Sequence, residues 1–60
     1  MFYIVEIDGK VRNIIDIHGK ANKYGACKYF ETFQDAQKWV DKHSYKGMSM
    51  KYEIKGSVGR

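Results

Sequence analysis

Few of the chain's 60 residues carry side chains that could do chemistry, and their spacing limits what that chemistry can be. There is one cysteine, Cys27, and there are two histidines, His18 and His43. A structural zinc site takes about four Cys or His ligands in paired spacing, and each of these stands alone. They read as a small buried hydrophobe and two surface polar groups. Catalysis by Cys27 or a serine would need a neighbouring base and an oxyanion site. Lys28 follows Cys27, but alternation along a strand sends it to the opposite face. Asp8, Asp16 and Glu53 come nearest to a carboxylate pair, and they fall at turn and solvent-face positions. No GxGxxG or Walker pattern occurs. The loop from Gly19 to Gly25 offers, at most, a nest of backbone amides to an anion. A domain this small also lacks the cleft that would exclude water. The expectation is a protein that is not an enzyme, with no cofactor and no metal.

Bases interleaved with aromatics are the stronger signal. The stretch Lys23-Tyr24-Gly25-Ala26-Cys27-Lys28-Tyr29-Phe30 has this character, as do Tyr45-Lys46 and Lys51-Tyr52. A tyrosine face stacks on a base while a lysine meets the phosphate, the arrangement of sequence-tolerant single-strand binders. The formal net charge of +4 also favours anionic partners, nucleic acid, a nucleotide or an acidic protein. The candidate ligand-binding residues are Lys20, Lys23, Tyr24, Lys28 and Lys51. The plainer alternative puts Tyr29, Phe30 and Tyr52 in the core and the lysines in solvent.

These residues must be held by a small set of elements. Phe2 to Ile7 and Val11 to Ile17 are β-prone runs separated by Asp8-Gly9-Lys10, a hairpin signal. A three-residue loop gathers Tyr3, Val5, Ile7, Val11, Ile15 and Ile17 on one face. Register follows whichever pairing buries an apolar face, so an odd-length loop is expected. His18 to Ala26 reads as a polar loop, and Cys27 to Glu31 as an optional short strand. Thr32 is a helix N-cap, with Asp35 three residues on. Phe33, Ala36, Trp39 and Val40 then share one side of a helix from Phe33 to His43. Met48, Met50, Tyr52 and Ile54 alternate with Ser49, Lys51, Glu53 and Lys55, the clearest strand in the chain.

The order β-β-(β)-α-β implies an α+β fold: a small antiparallel sheet of three or four strands with one helix on one face. Residues 1–55 form a single domain, and 56–60 read as a flexible C-terminal tail. One helix leaves the other sheet face bare, and the odd-length hairpin places Phe2, Ile4 and Ile14 there. Such an apolar patch suggests an interface with another copy of the chain. A single cysteine and no long apolar run or leader imply a cytoplasmic protein away from membranes.

Two resemblances add to this. Lys28-Tyr29-Phe30, Thr32-Phe33, Asp35-Ala36 and Trp39-Val40 together resemble a strand-to-helix step of the hybrid-binding modules attached to ribonuclease H. The strand-helix-strand layout, with Lys46-Gly47-Met48-Ser49-Met50 before the last strand, is similar to short bacteriophage proteins. That likeness implies a host-interaction factor or inhibitor acting in the host cytoplasm. No residue role carries over from either. The leading expectation is therefore an oligomeric, non-catalytic module binding nucleic acid or a nucleotide. The alternative is a protein–protein interaction factor, such as a phage inhibitor of a host protein, using the bare sheet face.

Overall fold

The computed structural model describes residues 1–57; the end of the expected tail, 58–60, lies outside the described residues. Four strands form one antiparallel sheet in the order β3-β2-β1-β4. They are β1 (Phe2–Asp8), β2 (Val11–Ile15), β3 (Ala21–Asn22) and β4 (Lys51–Gly56), with helix α1 (Phe33–His43) between β3 and β4. The α+β sheet with a single helix is as the sequence implies. Gly56 belongs to β4, and the Ser57 amide donates to the Met1 carbonyl at 2.7 Å. The first two residues of the expected tail are therefore held against the N-terminal strand.

The helix has the expected bounds because local chemistry sets them. The Thr32 hydroxyl accepts from the Asp35 amide at 3.1 Å, satisfying one of the donors left free at the helix start. Lys42 and His43 occupy the last turn, where positive charge suits the helix dipole. Ala36 is fully buried, and Trp39 and Val40 are half-buried. Trp39 meets Tyr52 of β4 edge-to-face at 5.2 Å.

The hairpin departs from expectation. Asp8 pairs with Val11 and Ile7 with Arg12, so the loop is the two residues Gly9 and Lys10. Gly9 has φ of 62° and Lys10 does not enter the left-handed region. That is the type II′ pattern, whose twist suits a hairpin and whose first loop residue is best glycine. The turn thus closes one residue later than an Asp-Gly loop would.

This register decides which face is the core. Ile4 pairs with Ile54 of β4, and these join Ile15, Ala36, Phe2, Phe30, Trp39, Val40 and Tyr52 beneath the helix. Ile4 and Ile15 are 0% and 1% exposed. Phe2 and Ile4 are therefore core residues, and the interface expected from Phe2, Ile4 and Ile14 does not exist as a surface. Only Ile14 of the three lies on the helix-free face, beside Val5. Val11 and Ile17, expected inside, are about half exposed.

The segment before the helix forms no continuous strand. Instead Phe30 exchanges two 2.8 Å backbone bonds with Phe2, and Lys28 donates to Ile15 at 3.0 Å. Residues 26–30 thus fill the gap where β1 and β2 diverge. The true third strand, β3, lies inside the stretch read as a loop. The last strand begins at Lys51, and Met48 and Met50 approach it half-buried. No helix among the described residues is long and apolar enough to cross a membrane.

Candidate ligand-binding face of the sheet

Alternation in β4 sends Tyr52 and Ile54 toward the helix and Lys51, Glu53 and Lys55 to the opposite face. The same rule places Tyr3, Val5 and Ile7 of β1 and Arg12 and Ile14 of β2 on that face. No described element lies over it. Its rows follow from the registers. Arg12, Ile7 and Lys51 form one row, and Asn22, Ile14, Val5 and Glu53 the next. In the third, Tyr3 pairs with Lys55, and Tyr29 joins from the segment before the helix.

Tyr3 and Tyr29 meet edge-to-face, with centroids 6.1 Å apart and planes at 72°. Tyr29 is 52% exposed and presents an open ring. Arg12 and Lys51 are exposed at the other end of the face, flanking Ile7. Lys55 lies 3.2 Å from Glu53, the one carboxylate among these cations. Val5 and Ile7 are nearly buried although no helix covers them. They sit on the central strand, where the longer side chains of both neighbours shelter them. The face is thus basic and aromatic at its surface, with its aliphatic residues sunk beneath.

The residues expected to bind a ligand do not converge. Lys51 alone lies on this face. Lys20, Lys23 and Tyr24 are exposed in the loop around β3, with Tyr24 80% exposed. Lys28 shares the helix side with Phe30, its Nζ 5.4 Å from that ring. Arg12, Lys55, Tyr3 and Tyr29 complete the face and were missing from the expected set. Tyr29 stood within the basic and aromatic stretch. Its pairing with Tyr3 depends on the contact between Phe2 and Phe30, which no local pattern announces.

The start of the glycine-bounded loop is not open to an anion. Asp16, expected in solvent, is nearly buried, and its Oδ1 accepts from the amides of His18 at 2.9 Å and Lys20 at 3.0 Å. The Gly19 amide bonds the Asp16 carbonyl, and the Asn22 side-chain amide reaches Oδ2. The amides of His18 and Lys20 already serve this carboxylate and that of Gly19 a carbonyl, so none of these three is open to an anion. The Lys20 amide is the chief cause holding the Asp16 carboxyl below its ordinary pKa, against the opposing cost of burial.

Compared with protein-family models, curated proteins and solved structures, the chain matches none.

The remaining reactive groups are separately engaged. Burial pushes the Cys27 thiol above its ordinary pKa, so it stays protonated near neutral pH, with Sγ 3.7 Å from the Lys28 carbonyl. His43 Nδ1 lies 2.8 Å from the Trp39 carbonyl, and its ring stacks on the indole at 3.9 Å. Among the described residues, no three of His, Cys, Asp and Glu come together as a metal site would require.

Proposed function

We propose that the protein is a non-catalytic module that binds single-stranded nucleic acid or a nucleotide on the helix-free face of the sheet. The observation that carries this is the Tyr3–Tyr29 pair on a face shared with Arg12, Lys51 and Lys55. A base stacks on the open Tyr29 ring, and phosphates meet the cations at the face's two ends. Lys20, Lys23 and Tyr24, at the β3 edge, lengthen the path for a longer strand. Lys28, held against Phe30 on the helix side, takes no part.

A protein-interaction factor is the competing proposal. It draws less support, because Val5 and Ile7 are already sheltered and leave little apolar area for a partner to bury. Fluorescence anisotropy with a labelled single-stranded oligonucleotide and a labelled mononucleotide, at rising salt, tests the reading. The log–log salt slope for the oligonucleotide should be roughly −0.7 per phosphate contacted. Tyr29→Ala should cost about 1–3 kcal/mol of affinity, and Lys51→Ala should flatten the slope by about one contact. Lys28→Ala should change neither. Absence of binding to DNA, RNA and nucleotides at low salt would reject this reading and favour an acidic protein partner.

A further inference from the structure

The two edges of the sheet differ. β3 is two residues long, whereas β4 runs six residues with an unbroken register against β1. We infer that the free edge of β4 pairs with β4 of a second copy, antiparallel about Ile54, giving a dimer with one continuous eight-stranded sheet. The inference uses the sheet's edge and does not rest on the nucleic-acid reading.

Backbone parity comes first. Met1 and Ser57 form a hydrogen-bonded pair, which makes the odd-numbered residues of β4 the ones bonded to β1. Phe2 confirms this parity, since its amide and carbonyl face away from β4 and bond Phe30. Tyr52, Ile54 and Gly56 therefore aim their amides and carbonyls outward, and no described residue bonds them. Two copies related about Ile54 exchange bonds between the two Ile54 residues, and between each Tyr52 and the partner's Gly56.

Side chains are complementary in this register. Pairing about Ile54 sets Glu53 opposite the partner's Lys55, and Lys55 opposite the partner's Glu53. These are pairs without mutual backbone bonds, where side chains come closest. The ion pair already present within each strand, at 3.2 Å, then becomes an alternating cluster of four charges. Centring the pairing on Glu53 instead would oppose Glu53 to itself and Lys51 to Lys55, which like-charge repulsion disfavours. Edge lysines usually deter pairing; here the intervening glutamate makes the edge complementary to itself. On the helix side, Tyr52 lies opposite the partner's Gly56, where the missing side chain leaves room for its ring.

The helices also fit. Strands lie about 4.8 Å apart, and α1 rests on β1 and β4 alike. Edge-to-edge copies then bring their helices side by side on one face at about 10 Å, the spacing of packed helices. Trp39, above Tyr52 and only half-buried, lies at that seam.

Sedimentation equilibrium of the full chain, with circular dichroism to confirm folding, is the test. The wild type should form a dimer. Glu53→Lys and Lys55→Glu should each weaken it on the order of tenfold, since each change turns two attractive cross-strand pairs repulsive. The double variant, carrying both changes, should recover the dimer because the pairs are restored with exchanged signs. If either single variant unfolds, Glu53→Gln and Lys55→Gln replace it, with a smaller weakening expected. Hydrogen exchange at the amides of Tyr52, Ile54 and Gly56 should slow as concentration rises. A monomer at every concentration would overturn the inference. So would a double variant no better than the singles, or a dimer whose three amides stay unprotected.

Discussion

Replacing Ile4 and Ile14 by valine, one at a time, tests the register on which the site depends. Both are isoleucines on neighbouring strands, yet the structure puts them on opposite faces. Ile4 is 0% exposed beneath the helix, while Ile14 is half-buried on the helix-free face. Removing one buried methylene costs about 0.8 kcal/mol in transfer, and incomplete closure of the gap brings Ile-to-Val losses to about 0.5–1.5 kcal/mol. At Ile4 the upper part of that range applies, because core atoms surround the side chain. At Ile14, which is partly exposed, somewhat less of the transfer cost is lost and no closed cavity forms, giving about 0.5 kcal/mol. For a domain of this size 1 kcal/mol moves Tm by about 4–8 °C, so Ile4→Val should lower it by about 4–12 °C and Ile14→Val by about 2–4 °C. Ile4→Lys is the severe form. It buries a charge without a partner, against a total stability of only about 3–5 kcal/mol, and the chain should not fold. Thermal and urea unfolding followed by circular dichroism, at one fixed protein concentration, gives these values. Equal losses at the two positions, a larger loss at Ile14, or a folded Ile4→Lys protein would refute the assignment of the core face.

Other perturbations probe single links. Thr32→Ala removes the helix cap and should cost about 1 kcal/mol in urea titration, with Thr32→Ser close to wild type. Gly9→Ala meets no atom within 4 Å, so its expected loss of about 1–2 kcal/mol comes from the left-handed backbone alone, measurable by thermal melting. Asp16 has a lowered pKa in the folded state, so its contribution is present above the unfolded carboxyl value and fades as pH falls through the folded one. Asp16→Asn should therefore be less stable than wild type near neutral pH, and the gap should close in acid; a constant gap in unfolding midpoints would contradict the amide cradle.

Local chemistry was enough to determine part of this protein. Thr32, Asp35 and the apolar spacing of Ala36, Trp39 and Val40 define the helix, because caps and helical periodicity act within a few residues. Tyr52 and Ile54 alternating with Lys51, Glu53 and Lys55 define β4 and the face it buries. From these follow the α+β class and Lys51 as a member of the exposed basic set. The hairpin was different. β1 is apolar on both faces, with Phe2 and Ile4 on one and Tyr3, Val5 and Ile7 on the other, so alternation could not choose between them. Tertiary structure chose, through the positive φ at Gly9 and the pairing of Ile4 with Ile54, whose unambiguous strand fixes the side the helix covers. The Tyr3–Tyr29 pair depends in turn on Phe30 reaching Phe2, and the burial of Asp16 on amides supplied by its own loop. Such long-range pairings carry little local signal. A one-residue shift of register reverses every side chain, and only the packed core decides which shift is taken.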